Sequence, residues 1–482
     1  MSTRKLLVLT GVFLGLLAFV VFFERKQPTS EERARAARRL ADFRTDDVVS
    51  VAIERPDLPK VDLARKEKGR WTVLNPPASP ADGFAADNLV SDLAHLEVVG
   101  ETRTDFDPKE YGLDAPKAKA TVVFADKSSK TFSFGAAIPG TDAVAASEGR
   151  LFGAVRSAPL AALTKPVDEY RSRQLFDVAV PDITRLSVTR GPNTVVLSRT
   201  AREGGAPGPW RLEKPVADLA SETFVDRLLG DLAGARVSEF PSVPEAELAR
   251  VGLAPPVATV VLEKGAEKVA TISFGAAKAD VAGGKMYAKV GSLVVVIDDR
   301  VREDLDKELS AYRETRVAPV DTFTLRRVSF AADDLRAGAD KVDGQWRSSG
   351  RAVSALHAEG LAAVLGRAEG RGFVPAPTGK AGKSGSEKPL GTVDVAGEAA
   401  GTAETATFYA APAGSAPGLV AVAVTGRPER LLVDRSVLDE IRREAAALRD
   451  EADGKAKDTK GKPSAPAPTA APGGLVKVVP GR

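Results

Sequence analysis

Few residues in this sequence are of a type that could do chemistry, and their spacing is poor. The chain has two histidines, His95 and His357, and no cysteine. Without thiols there are no disulfides, no Cys nucleophile and no thiolate zinc site. No H-x-x-x-H or H-E-x-x-H spacing sets two imidazoles on one helix face. A Ser-His-Asp site would have to use one of these histidines, and neither lies near a G-x-S-x-G turn. Gly382-Lys383-Ser384 imitates the end of a phosphate-binding loop, but Pro377 stands where that loop needs its first glycine. The stretch from Pro375 to Lys388 therefore reads as a flexible insertion. Asp46-Asp47, Asp298-Asp299 and Asp333-Asp334 could bind a cation or run glycoside hydrolysis only if the fold converged them in a cleft. The expectation is no catalytic, cofactor-binding or metal-ligating residue. A carboxylate-dependent glycan hydrolase is the lower alternative.

Composition agrees with that expectation. Of 482 residues, 43% are hydrophobic and 28% charged, and the net charge is +3. These are the values of an ordinary globular protein, and no aromatic-interleaved basic patch points to nucleic acid.

The elements that would have to position any site come in copies. Thr131-Phe132-Ser133-Phe134-Gly135-Ala136-Ala137 returns as Thr271-Ile272-Ser273-Phe274-Gly275-Ala276-Ala277, and more weakly as Thr405-Ala406-Thr407-Phe408-Tyr409-Ala410-Ala411. Alternation of apolar and hydroxyl residues reads as a strand end, and the glycine as a turn or a left-handed position. A phosphate cradle there is disfavoured, because no nucleotide-binding glycine pattern follows.

The three tryptophans, Trp71, Trp210 and Trp346, take one slot per copy, each just after a glycine-containing turn. Core anchoring is the expected role of such a residue, ahead of ligand stacking. A helix follows in each copy, with apolar stripes Leu89, Val90, Leu93, Leu96, then Val225, Leu228, Leu229, Leu232, then Leu361, Val364, Leu365. Ser221 is placed to cap the second of these helices. Next come the turns Tyr111-Gly112-Leu113-Asp114-Ala115-Pro116 and Val251-Gly252-Leu253-Ala254-Pro255-Pro256, and then strands. In the third copy Leu390-Gly391 stands for Gly-Leu.

Each copy opens on alternating residues: Val48, Val51, Ile53; Ile183, Leu186, Val188; Phe323, Leu325, Val328. Each closes with an expected helix, Pro159 to Tyr170, Val301 to Tyr312 and Ser436 to Arg449. The fold class is α+β: three tandem modules of mainly antiparallel sheet with two helices each, at 43–175, 176–317 and 318–450. The repeat-defining positions are Trp71, Gly112, Leu113, Pro116, Phe134, Gly135, Trp210, Gly252, Leu253, Phe274, Gly275, Trp346 and Phe408.

Ahead of the modules, Leu6 to Phe23 is uncharged and would span about 27 Å as a helix, close to a bilayer core. Charge at both ends, Arg4-Lys5 and Glu24-Arg25-Lys26, favours an uncleaved anchor over a signal peptide. The expected layout is a short cytoplasmic tail at 1–5, the anchor at 6–23 and a charged juxtamembrane helix within 24–42. The bulk is expected outside the cytoplasm, although Arg33, Arg35, Arg38 and Arg39 load the distal side. Residues 451–482 read as a disordered tail whose Leu475 to Val479 patch could add a strand to a partner.

With the Gly-x-Trp strand, the Gly-Leu-x-x-Pro turn and the Ser-Phe-Gly strand, residues 43–450 resemble the bacterial domain-of-unknown-function family 4340. That resemblance implies single-span inner-membrane proteins, often encoded beside subunits of a gliding-motility-type ABC transporter, and hence an accessory or scaffold role with protein partners in a transport complex. It carries no catalytic residues. Binding of an envelope glycan or lipid is the alternative.

Overall fold

The computed structural model describes residues 38–66, 69–200, 206–278, 284–318, 323–376, 387–397 and 403–455. The expected anchor at 6–23, the tail beyond 455 and the 382–384 loop lie outside the described residues. Among those described, no helix is long and apolar enough to cross a membrane.

The first copy folds as β1 (Val48–Arg55), β2 (Leu58–Arg65), β3 (Trp71–Val73), β4 (Ser79–Pro80), α1 (Gly83–Ala94), β5 (Ala118–Phe124), β6 (Ser129–Ile138), β7 (Ala143–Glu148), β8 (Leu151–Arg156) and α2 (Ala158–Leu163). The second repeats this as β9 (Arg185–Arg190), β10 (Asn193–Ser198), β11 (Arg211–Lys214), β12 (Asp218–Leu219), α3 (Glu222–Gly234), β13 (Val237–Glu239), β14 (Ala258–Lys264), β15 (Glu267–Ala277), β16 (Lys285–Val290), β17 (Leu293–Asp298) and α4 (Arg300–Leu305). The third gives β18 (Leu325–Ala331), β19 (Arg336–Val342), β20 (Gln345–Ser348), β21 (Arg351–Ala352), α5 (Ala355–Arg367), β22 (Gly372–Pro375), β23 (Gly391–Gly397), β24 (Glu404–Ala410), β25 (Leu419–Val424), β26 (Glu429–Asp434) and α6 (Arg435–Ala452).

The three sheets are antiparallel and share one order. The first runs β4-β3-β2-β1-β5-β6-β7-β8, and the third runs β21-β20-β19-β18-β23-β24-β25-β26-β22. In the second, β11-β10-β9-β14-β15-β16-β17-β13 follows the same path. Hairpins make most of the links; the swap of β1 next to β5 is what lets the first helix cross one face. The described residues divide into two compact units, those up to Pro215 with Glu222–Leu309, and Val216–Ser221 with those from Ser310 on.

Burial follows the sequence period. Alternate residues of β6 and β15, Phe132, Phe134, Ile272 and Phe274, have no exposed surface, and each such side chain stabilises by roughly 1.5–3 kcal/mol. Helix α1 buries Ala86, Leu89, Val90 and Leu93 and is capped by Asp82, whose side chain accepts from the Ala85 N–H. Ser354 caps α5 in the same way, through the Leu356 N–H. Both caps satisfy a donor the helix leaves open.

Several expectations need correction. Arg38 to Asp42, placed in a charged helix, are not helical and pair with the 96–98 segment: Leu40 N–H donates to Leu96 O and Val98 N–H to Arg38 O. Leu40 and Ala41 join the first core because their apolar side chains gain burial there. Equivalent lead-in pairings are Val237 N–H to Arg173 O, and Gly370 N–H to Thr315 O. Phe323 lies outside β18 and is 95% exposed, so the strand pattern begins at Leu325. The closing helices of the first two copies each break, into α2 and a turn at Val167–Tyr170, and into α4 and a turn at Leu309–Tyr312. Pro166 stops the first. In both, the break swings Tyr170 and Tyr312 into the core, where each is 2% exposed. The closing helix of the third copy is unbroken, and α6 runs on to Ala452, past the expected end of the module.

Candidate functional site

The repeat-defining residues meet in pairs, and the contacts are internal. In the first copy the Gly112-Leu113 turn lies against β6, where Ala136 N–H donates to Tyr111 O at 2.7 Å. In the second, Ala276 N–H donates to Val251 O at 2.8 Å. A Cβ on Gly135 would run into Tyr111 O, and one on Gly275 into Val251 O. Gly112 and Gly252 do have positive φ, 65° and 69°. Gly135 and Gly275 do not, which corrects the expected turn: they are strand residues, at a bulge, kept bare by a neighbour's carbonyl. Leu113 packs with Ala145 and Phe152, and Leu253 with Leu248, Val251 and Val294, in small cores on the far face of each sheet. Pro116 is buried beside them in sequence, just ahead of β5.

The third copy corrects a second expectation. Leu390 N–H donates to Phe408 O, as Lys117 does to Phe134 O and Val257 to Phe274 O. Leu390-Gly391 therefore corresponds to Lys117-Ala118, the start of the strand, and not to the Gly-Leu turn. Gly391 is bare because the Phe330 ring fills the space of its Cβ.

The tryptophans are buried, at 4%, 2% and 3% exposure for Trp71, Trp210 and Trp346, so none offers a free ring face. A cation covers each ring: Arg65 at 4.6 Å, Arg199 at 4.5 Å and Lys341 at 5.5 Å. The Trp71 Nε1–H donates to Asp87 at 2.7 Å and that of Trp346 to Glu359 at 3.0 Å.

The densest polar cluster lies in the second compact unit. The Asp218 carboxylate, fully buried, is held by Arg427, whose side chain is 1% exposed, through Nε at 2.9 Å, and by Arg313, 4% exposed, through Nε at 2.8 Å. Arg313 Nη2 is also close, 2.6 Å from Asp218, but off the hydrogen-bonding line, so it acts there as charge alone. Glu429 pairs with Arg313, and Phe373 lies under both guanidinium groups, at 3.5 Å and 5.6 Å. Nearby, burial opposes ionisation of Glu314, but the hydrogen bonds from Arg316 win and hold it below the usual glutamate range. Burial pushes Glu404 above that range, with Arg427 partly offsetting it. Asp218, Arg313, Arg427 and Glu429 are committed to one another in a low-dielectric setting, which makes a clasp. The corresponding arginine of the first copy, Arg171, binds Ser79 Oγ at 2.5 Å and Pro77 O at 2.7 Å, and its one carboxylate partner, Asp168 at 3.2 Å, is half-exposed. Sequence reasoning missed this cluster. Its one signal is the recurrence of Tyr170-Arg171 as Tyr312-Arg313.

The acidic pairs are dispersed. Asp46-Asp47 sit on a short 3-10 turn, and Asp299 precedes α4. Asp333 pairs with Lys388, and Asp334 with Arg442. His95 contacts Ser91 O and His357 contacts Glu444, both at 2.9 Å. Among the described residues no group of three His, Asp or Glu side chains could hold a metal ion.

A family model described as "Domain of unknown function (DUF4340)" matches residues 71–207 and again 210–389. The chain belongs to this family. Each DUF4340 match opens on a signature tryptophan, Trp71 or Trp210. Gly112 with Gly135 lies within the first match, and Gly252 with Gly275 within the second. Comparison with curated proteins and with solved structures gives no match.

Proposed function

We propose that this DUF4340 protein is a non-catalytic, single-pass protein of the cell inner membrane, with three tandem modules outside the cytoplasm. In this reading it serves as an accessory or scaffold subunit of an envelope ABC-type transport complex. The observation that carries the reading is where the repeated residues point. Each copy buries its tryptophan under a cation of its own, and the first two seat their own turn on their bulge glycine, so repetition multiplies outer surfaces, which suits assembly. The anchor reading rests on Leu6 to Phe23 and its charged flanks. The family resemblance supplies the transporter context.

Mild cross-linking on intact cells, then purification of the tagged chain from solubilised membranes, tests it. The expected outcome is recovery of a permease and an ATP-binding subunit in stoichiometric amounts. Recovery of the chain with wall glycan or lipid instead would replace this reading with envelope-polymer binding. One observation favours that second reading: a groove of about 430 Å³ between the end of α5 and the start of α6, lined by Val364, Arg367, Arg371, Asp434, Val437 and Glu440. Its arginines are already paired, Arg371 with Asp434 and Arg367 with Glu440.

A further inference from the structure

The same three-part contact is built in two of the three copies and left open in the other. In the first, Arg65 is the cross-strand partner of Trp71 and covers its ring. Asp87, the fifth residue of α1, takes both the Arg65 guanidinium at 2.8 Å and the indole N–H at 2.7 Å on one oxygen. In the third, Lys341 is the cross-strand partner of Trp346, and Glu359, the fifth residue of α5, takes both.

The second copy has every part. Ser198 pairs with Arg211, so the register carries Arg199 opposite Trp210, and its guanidinium covers the ring at 4.5 Å. Asp226 is the fifth residue of α3 and lies near enough to bear on the charge of Arg199. Yet the indole N–H of Trp210 is buried with no partner. Where Arg65 donates to one carbonyl, Thr45 O at 3.1 Å, Arg199 donates to three, Ile183 O at 2.8 Å, Val180 O at 2.7 Å and Pro181 O at 3.1 Å. Those carbonyls belong to the 3-10 turn Val180–Asp182 and the residue after it, which lead the chain into β9. A buried donor left unpaired beside an available carboxylate is an unrelieved desolvation cost.

We infer that the second copy has two states of this clamp. In the one described here Arg199 grips the Val180–Ile183 lead-in turn. In the other, Asp226 turns inward and accepts from both Arg199 and the Trp210 indole, as Asp87 and Glu359 do, and the lead-in turn keeps fewer of its bonds, as Arg65 keeps only Thr45 O of the Thr45–Asp47 turn while it holds Asp87. Arg199 keeps its stacking on Trp210 in both states, so the exchange trades carbonyl bonds for one carboxylate without uncovering the ring. The device sets how firmly the chain is held where it enters the second sheet, and it is independent of what the protein binds.

The full-length protein with 15N-labelled indoles tests this by solvent exchange of the three Nε1–H signals, assigned by Trp→Phe variants. Asp226 makes no hydrogen bond in the state described here, so that state alone predicts no effect of changing it. The two-state clamp predicts that Asp226→Ala shifts the Trp210 signal and speeds its exchange several-fold. Asp226→Asn, which keeps an acceptor oxygen, restores most of the protection. An unchanged Trp210 signal and rate in Asp226→Ala would overturn the inference and leave a trapped water as the partner of that N–H.

Discussion

The first two copies and the third build the same strand in opposite ways: β6 and β15 bulge after the buried phenylalanine, and β24 pairs without a bulge. In β6 and β15 the residue after the buried phenylalanine is glycine, because the turn at Gly112 or Gly252 lays a carbonyl where a side chain would go. In β24 that residue is Tyr409, and its ring carries the Arg430 guanidinium at 3.9 Å, itself paired with Glu387. The glycine was therefore never needed for its own backbone angle. It is set by a neighbour, and the two vary together: where the Gly-Leu turn is lost from the sequence, the glycine is lost with it. The buried arginines differ in a parallel way. Arg171 is held by a hydroxyl, carbonyls and the half-exposed carboxylate of Asp168, whereas Arg313 shares a fully buried carboxylate with Arg427.

That second contrast gives the largest expected effect. Asp218→Ala strands two buried guanidinium groups and should cost about 3–5 kcal/mol, whereas Ser79→Ala removes one neutral acceptor and should cost about 1 kcal/mol. Denaturant unfolding of the full chain followed by amide exchange in each sheet measures both; equal costs would erase the contrast. Next, Gly135→Ala and Gly275→Ala should each cost about 3 kcal/mol, since a backbone carbonyl has little room to yield. Tyr409→Ala should cost about 1 kcal/mol, the scale of a cation–π contact. A Gly135→Ala variant as stable as the parent would show that the turn moves freely.

Smaller again is the tryptophan series. Trp71→Phe and Trp346→Phe give up a hydrogen bond to a carboxylate, about 1.5 kcal/mol beyond lost packing. Trp210→Phe gives up none that is described here and should be the mildest of the three by thermal unfolding. The smallest effect is one of pH. Burial, and then a hydrogen bond to Asp304, push the Asp231 carboxyl above the usual aspartate range. A carboxyl whose folded value is raised binds its proton more tightly when folded, so its contribution is present in acid and is lost as pH rises through the folded value. Asp231→Asn should therefore match the parent in acid and exceed it at neutral pH. The third copy has Val364 at this tenth helical position, and melting curves that stayed parallel across pH would rule out the difference.

Much of the frame was legible in the residues. Alternation marked β6, β15 and their neighbours, and the i, i+3, i+4 stripes marked α1, α3 and α5, because burial on one face forces a period. Repetition then supplied a control on each reading: one tryptophan per copy in one slot was a stronger sign than any single strand. The breaks in the closing helices were less visible, since Val301 to Tyr312 has no proline and is divided only by where Tyr312 must go. Leu390-Gly391 misled for a related reason. It has the composition of the missing turn, but its place is fixed by a hydrogen bond to Phe408.

By itself the sequence determined the class of fold, the number of copies, the apolar N-terminal run and the poverty of catalytic spacing, all of which follow from local period and composition. Tertiary structure alone decided why Gly135 is bare, which acid each tryptophan meets, and that Asp218 lies with Arg313 and Arg427. Each of these depends on a partner far away in the chain, and a side chain's type does not say whose carbonyl or carboxylate will arrive beside it.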